Sequence, residues 1–354
     1  MTRLLQHSVI VLLALCSAII SSLAPVLTAA EQPDVAQRHY ERGVALLKKG
    51  DLAAAFEAAR KAVELNPSSA EARHLLGAIY FKEKKPAQAL DAFTQALKLK
   101  PAYPDALNDL SEVYLIQGKS AEAEQALKRA IETDPRHADS YLHLAKLYEQ
   151  RRDSAAATKT YQTLLAAHPS HRDALYSLAL LYEAQGDSRG ARETVGRLLK
   201  LDPKHADGWY LAGRMAEKNN VLVEAAESYR QAIAAKPSFV DAHYNLAFIY
   251  RSQGRPMEAE REFLEGLRYR PEYAEAHMNL GVIYTDLNRL DEAERSYERA
   301  VALKPNYAEA HYNLGVFYEL HRKDLPKALA QYHQYLDLGG RDDRVERIIG
   351  SGGR

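Results

Sequence analysis

The chain has 354 residues, 47 basic and 47 acidic side chains, and 47% hydrophobic residues. Its charge balance excludes nucleic acid as a main partner, because binding phosphates needs a surplus of Lys and Arg. Its apolar content, with 27% charged residues, excludes a disordered chain, and its Leu, Ala and charged residues favour helix.

In chain order, residues 1–30 come first. Arg3 precedes an almost unbroken apolar run from Val9 to Leu23, then Pro25 and Leu27-Thr28-Ala29-Ala30. One positive charge, an apolar stretch and small residues describe a secretory signal peptide, with cleavage expected after Ala30. The alternative is an uncleaved membrane anchor, since residues 8–27 are long enough to span a bilayer. Either reading places the remainder outside the cytoplasm. Cys16 is the sole cysteine. A lipid-modified Cys16 is disfavoured, because Leu15 stands where such signals want a small residue. The mature chain then holds no disulfide or cysteine nucleophile, and its fold rests on packing alone.

From residue 34 the chain repeats. Prolines stand at 67, 101, 135, 169, 203, 237, 271 and 305, each 34 residues after the last. Alanines keep the same period at 55, 89, 123, 157, 191, 225, 259 and 293. A small column runs Gly43, Gly77, Ser111, Ala145, Ala179, Gly213, Ala247, Gly281 and Gly315. A mostly tyrosine column includes Tyr80, Tyr114, Tyr148, Tyr182, Tyr250, Tyr284 and Tyr318. Within one unit, Ala276, Leu280, Ile283, Tyr284 and Leu287 form one helical stripe, and Ala293, Tyr297, Ala300, Val301 and Leu303 form a second. Proline ends the second helix. The small residues mark close helix approach, with the tyrosines filling the space beside them. The expected unit is an antiparallel helix pair, stacked nine times over residues 34–338.

This unit resembles the tetratricopeptide repeat, whose pattern is W-x2-L-G-x2-Y, then A-x3-F, then P. Trp209 with Gly213, Leu76-Gly77 with Tyr80, Ala89 with Phe93, and Pro101 stand at those places. The resemblance implies an all-α, right-handed solenoid of about nine helix pairs, with the first helices lining a concave groove.

Three departures stand out. Leu164 and Leu198 occupy a position held elsewhere by Ala62, Ala96, Ala130, Ala232 and Ala300. They are read either as compensated packing or as a local change of helix angle. The ninth unit carries one extra residue around His321-Arg322-Lys323-Asp324, expected as a loop insertion. Residues 339–354 are expected to form a short cap, with Val345, Ile348 and Ile349 on the last apolar face. The closing Gly350-Ser351-Gly352-Gly353-Arg354 is expected to be a disordered tail.

No phosphate loop, nucleophile elbow or HExxH is present, so no catalytic residue and no cofactor is assigned. His243, His277 and His311 form a column, but they should lie a full repeat apart, whereas zinc needs its ligands about 2 Å from one point; they read as packing residues, with no metal site. The columns implied by the resemblance to face the groove hold Tyr176, Tyr210, Tyr244, Met278 and Tyr312, followed by Asn245, Asn279 and Asn313. Tyrosines offer rigid contact area with a polar tip. An amide ladder can pair with an extended backbone, although these amides could equally bond neighbouring helices or water. Tyr176, Tyr210, Tyr244, Asn245, Asn279, Tyr312 and Asn313 are therefore the candidate ligand contacts. An acidic column, Glu71, Asp105, Asp139, Asp173, Asp207, Asp241, Glu275 and Glu309, falls in helix first turns, where a carboxylate complements the dipole; a calcium-binding or basic-ligand surface is the alternative. The family's clamp for C-terminal carboxylates is not expected, because Tyr40, Val44, His74 and Ala78 stand at its places.

The expected function is a non-enzymatic scaffold that holds an extended peptide in its groove and serves assembly of a cell-envelope complex. The expected location is the periplasm of a Gram-negative-like bacterium, or the outer side of the inner membrane if the anchor is retained. A polysaccharide-binding module, with the tyrosines stacked on sugar rings, and a self-assembling structural protein are the alternatives. Membrane contact is expected only through residues 8–27, and the oligomeric state is left open.

Overall fold

The computed structural model describes residues 32–352. The signal segment, its cleavage after Ala30 and Cys16 lie outside the described residues. The chain divides into two compact units, Met1–Pro169 and Ser170–Arg354, and each consists of helix pairs.

The first unit holds Gln32–Lys49 with Leu52–Leu65, Ala70–Lys82 with Pro86–Leu99, Pro104–Ile116 with Ser120–Thr133, and Ala138–Gln150 with Ser154–Ala167. The second holds Arg172–Gln185 with Ser188–Leu201, Ala206–Lys218 with Leu222–Ala235, Val240–Ser252 with Pro256–Tyr269, Ala274–Asp286 with Leu290–Leu303, and Ala308–Phe317 with Leu325–Asp337. These nine pairs are repeats 1 to 9. No strand is present among the described residues, and none of their helices is long and apolar enough to cross a membrane.

The pairs of repeats 2, 6, 8 and 9 close on a glycine beneath an aromatic ring. A Cβ at Gly213 would lie 2.5 Å from the Tyr229 ring, and one at Gly281 would lie 2.5 Å from the Tyr297 ring. Tyr161, Tyr229, Tyr332, Phe93, Phe263 and Phe317 are fully buried, each contributing about 1.5–3 kcal/mol. A buried phenol must still find a partner. Tyr229 donates to Glu217 at 2.6 Å, and Tyr161 and Tyr332 donate to Glu149 and Glu319 in the same way. The tie runs from the second helix to the end of the first.

The helix ends repeat as strictly as the core. Asp51, Ser69, Asp153 and Asp187 accept from the backbone N–H three residues on, and so do the ring nitrogens of His171 and His205. The first helix of each pair ends in a left-handed residue: Gly50, Lys84, Gly118, Arg152, Gly186, Asn220, Gly254, Asn288 and Lys323 all have positive φ. That conformation turns the chain sharply enough for an antiparallel partner to begin two residues later.

Two expectations are corrected. The extra residue of repeat 9 makes no loop. It is absorbed by a π-helical turn over Tyr318–Arg322 that continues Ala308–Phe317, as happens when one residue is inserted without breaking a helix. Arg322 then pairs with Asp291 at 2.5 Å and Glu294 at 2.7 Å on repeat 8. The second correction concerns the tail: the last helix runs Asp343–Gly352, into the stretch expected to be disordered. Its Val345 is fully buried in the core of the second unit, with Ile348 and Ile349 packed beside it, because the final pair has no further repeat to cover its apolar face.

Leu198 resolves as compensated packing. It is fully buried, and the residue opposite is Gly208, where a Cβ would lie 3.1 Å from Leu198 Cδ2. Repeats 2 to 5 and 7 to 9 carry Ala72, Ala106, Ser140, Ala174, Ala242, Ala276 and Ala310 at that place.

Candidate functional site

In the second unit, the first helices of repeats 5 to 9 set Tyr176, Tyr210, Tyr244, Met278 and Tyr312 at equivalent positions. One turn further along the same face stand Leu180, Arg214, Phe248, Val282 and Val316. The four tyrosines are half-buried and Met278 is buried. Phe248 is 41% exposed, with the Arg251 guanidinium 5.2 Å from its ring centre.

Three of the tyrosine rings are held from the following repeat. Tyr176 packs on His205 at 5.3 Å, Tyr210 on Phe239 at 4.8 Å, and Tyr244 on Tyr273 at 5.1 Å between centroids. Tyr312 packs on Tyr335 at 5.1 Å. His205, Phe239 and Tyr273 belong to a column that runs Tyr103, His137, His171, His205, Phe239, Tyr273 and Tyr307, two places after the prolines from 101 to 305. Burial raises the phenol pKa of Tyr176, Tyr210 and Tyr244, and pushes Tyr273 up to about 12. The phenols stay neutral across the physiological range and can both donate and accept.

The asparagines behave differently from one another. Asn279 is 2% exposed. Its amide donates to Tyr244 Oη at 3.3 Å and to the Glu275 carbonyl at 2.8 Å, while its Oδ1 accepts from Arg251 at 2.6 Å. The expected ligand contact at Asn279 therefore gives way to a clamp between repeats, because burial and internal partners take up the amide. Asn245 is half-buried and donates to Tyr210 and Tyr229 at 3.3 and 3.2 Å. Asn313, also half-buried, donates to the Glu309 carbonyl at 3.0 Å and reaches Met278 Sδ at 3.5 Å. Asn245 and Asn279 thus reach back 35 residues to the tyrosine of the preceding repeat, and Asn313 to its methionine.

Three members of the acidic column are tied within their own repeats, from the first turn of the first helix to the end of the second. Asp241 pairs with Arg270 at 3.3 Å and Glu275 with Lys304 at 2.7 Å, while in the first unit Glu71 pairs with Lys100 at 2.9 Å. The same cations lie over ring faces: Arg270 over Tyr273 at 5.0 Å and Lys304 over Tyr307 at 4.7 Å. In Glu275, burial opposes ionisation, but Lys304 and the helix N-terminus hold the carboxyl below its usual range. The histidine column serves the proline turns. His243, His277 and His311 bond the carbonyls of Pro237, Pro271 and Pro305 at 3.0, 2.9 and 3.0 Å, as Trp209 Nε1 does with Pro203 at 2.9 Å.

The first unit has its own recess. Ala78, Phe81, Phe93 and Ile116 line a cavity of about 710 Å³, with Lys82, Lys84, Asp109 and Glu112 around it. Ile116 is 63% exposed. Burial raises the Glu112 carboxyl above its usual range, against the pull of His143. The signal for this recess lay in two large apolar residues, Phe81 and Ile116, at the ends of first helices.

Comparisons with known proteins agree with this architecture. A model of the tetratricopeptide repeat domain of cytochrome c-type biogenesis protein H matches residues 27–175. A tetratricopeptide repeat model matches residues 178–238, 224–265, 244–308 and 285–343. The chain belongs to the tetratricopeptide repeat family. No curated protein matches it in sequence. Among solved structures it is similar to PilF of Pseudomonas aeruginosa, at 21% identity and a TM-score of 0.53 over 60% of this chain and 96% of that one. It is also similar to PilW, a widely conserved type IV pilus biogenesis factor, at 20% identity and a TM-score of 0.51 over 57% of this chain and 94% of that one. What these two likenesses carry is the fold. The tetratricopeptide motif fixes the packing columns and is silent on the column from Tyr103 to Tyr307, which is why motif matching alone did not bring those residues into the site.

Proposed function

We propose that this tetratricopeptide protein is a non-enzymatic scaffold that binds an extended protein segment on the first-helix face of residues 170–354, in assembly of a cell-envelope complex. The observation that carries this reading is the double aromatic row. Tyr176, Tyr210, Tyr244 and Tyr312 are partly open to solvent, yet each is fixed by a ring from further along the chain. A surface ordered before binding leaves the ligand to bear most of the ordering cost, and tyrosine supplies contact area at few rotatable bonds. Asn245 and Asn313 lie beside this row as secondary contacts. Phe248 adds an apolar anchor.

An envelope setting is supported by the expected export signal in residues 1–30 and by the match of residues 27–175 to a domain named for cytochrome c-type biogenesis. The test is capture from an envelope extract, with the full chain as bait and a Phe248→Ala, Tyr312→Ala double variant as control. Phe248 is exposed and Tyr312 is half-buried near the end of the array, so the helix pairs should melt within a few degrees of the parent. A protein recovered by the parent and lost by the variant supports the proposal. Equal recovery by both baits moves the contact off this face, and recovery of polysaccharide in place of protein overturns the reading.

A further inference from the structure

The opposite side of the second unit, built by second helices, carries a feature at one repeat step. Between Ser188–Leu201 and Leu222–Ala235 a cleft of about 670 Å³ opens. Its floor is Trp209, Ala212, Met215 and Ala216, and Val195, Leu199, Val221 and Val223 extend the apolar lining up its sides. Two local changes accompany it. Leu198, like Leu164 in the preceding repeat, sits where most repeats have Ala, and Gly196 presents open space where a Cβ would meet no atom within 4 Å.

The cleft's mouth is left apolar. Val223 is 78% exposed, Val221 43% and Leu201 48%, and Met257, at the position of Val223 in the next repeat, is 60% exposed. An isolated exposed valine needs no explanation, but Val221 and Val223 in the lining of an apolar cleft, with Leu201 and Met257 exposed beyond it, mark an interaction surface. The charge pattern then selects the partner. One wall carries Arg192 and Lys200, eight residues apart on one helix face and without an acidic partner among the described residues. The other wall carries Glu224 and Glu227, of which Glu227 also pairs with Arg230 on its own helix at 2.5 Å. A surface with an apolar floor between a basic and an acidic wall is complementary to itself: a two-fold axis laid along the cleft sets the basic wall of each copy on the acidic wall of the other. Self-complementarity is what an isologous contact requires.

We infer that this cleft is a homodimer interface, occupied by a second copy of the chain. The contact buries Trp209, Val221 and Val223 at its centre and pairs Arg192 and Lys200 with Glu224 and Glu227 at its rim, an apolar core within a polar border. A stable interface buries on the order of 1,200 Å² or more in total, which extends the contact beyond the cleft to Leu201 and Met257. The first-helix face stays open in the dimer, so two copies present two ligand-binding faces.

The experiment is light scattering on the full chain over a concentration series, with three variants. Val223→Glu places a carboxylate at the mouth of the cleft. Arg192→Glu with Lys200→Glu makes both walls acidic, and Glu224→Lys with Glu227→Lys makes both walls basic. The expected result is a twofold rise in mass for the parent and none for any variant alone. An equimolar mixture of the all-acidic and all-basic variants should restore the twofold mass, because each wall then meets its opposite. All changed residues are surface positions, and circular dichroism confirms folding of each variant. A parent that stays monomeric at its highest soluble concentration overturns the inference, as does a dimer that survives in the all-acidic variant alone.

Discussion

Replacing Asn279 by alanine separates a structural amide from a ligand-binding one. The side chain gives up a bond from the Arg251 guanidinium at 2.6 Å, one to Tyr244 Oη at 3.3 Å and one to the Glu275 carbonyl at 2.8 Å. A bond to a charged group contributes about 1.5–3 kcal/mol and a neutral one about 0.5–1.5. Arg251 and Tyr244 are half-buried and can turn to water, which keeps the loss near the low end, about 2–3 kcal/mol. Asn245→Ala removes two neutral bonds to phenols that water also reaches, and should cost about 1 kcal/mol. Asn313→Ala loses one carbonyl bond and a 3.5 Å contact to sulfur, for less than about 1 kcal/mol. A repeat array unfolds in parts, so a single midpoint is not enough. Urea titration should be joined to amide exchange over Val240–Ser252 and Ala274–Asp286, where the Asn279 variant loses its protection first. If Asn279→Ala proves no more costly than Asn313→Ala, the clamp is refuted and Asn279 returns to the ligand-binding set.

Other outcomes follow from the same geometry. Lys84 and Arg152 hold φ values of 59° and 60°, which strain a side-chain-bearing residue by about 1 kcal/mol, so Lys84→Gly or Arg152→Gly should raise the midpoint of urea denaturation; an unchanged or lower midpoint would show that the turn bears no strain. Gly208→Ala brings a Cβ to 3.1 Å from Leu198 and should cost about 1–3 kcal/mol by overpacking. The Leu198→Ala, Gly208→Ala double variant restores the pair used by other repeats, and a thermal double-mutant cycle should show it less destabilised than the two single losses added. For His243, burial alone would lower the imidazole pKa, but the Glu262 carboxylate at 2.9 Å and the Pro237 carbonyl raise it. Its folded value then exceeds the ordinary one of about 6.5, so its stabilisation is complete below that pH and is lost as pH rises through the raised value. Melting the parent beside His243→Gln from pH 5 to 8 should show the parent's advantage shrink with rising pH; an advantage that grows would reverse the assignment. His277, pushed down by burial, should show the opposite sign.

Much of the fold was legible because its causes are local and periodic. Proline at the end of each second helix, alanine in its first turn and a small residue in each first helix recur every 34 residues, and a periodic sequence can bury its apolar stripe only by stacking like units. The insertion in repeat 9 was legible as one extra residue, but a loop and a π-turn differ only in where the surplus carbonyl finds its hydrogen bond. The structure takes the π-turn, and Arg322, paired with Asp291 and Glu294, ties it to the preceding repeat. The site was legible only in part. The tyrosine column could be read from spacing, whereas the aromatic and histidine column that fixes it, from Tyr103 to Tyr307, sits outside the family motif.

What the sequence by itself determined was the repeating helix pair, its number and the face on which each column falls, since these depend on residues within one period. Burial along a column was decided by tertiary structure. Asn245, Asn279 and Asn313 are the same residue in the same register, yet Asn279 alone is sealed, because Arg251 from the preceding repeat closes over it while Met278, in the place of a tyrosine, sinks into the core. Likewise Leu198 stood out in the sequence as a departure, but only packing shows that Gly208, ten residues on, makes room for it. Periodic sequence sets which side chains can meet. Neighbouring repeats set which of them water still reaches.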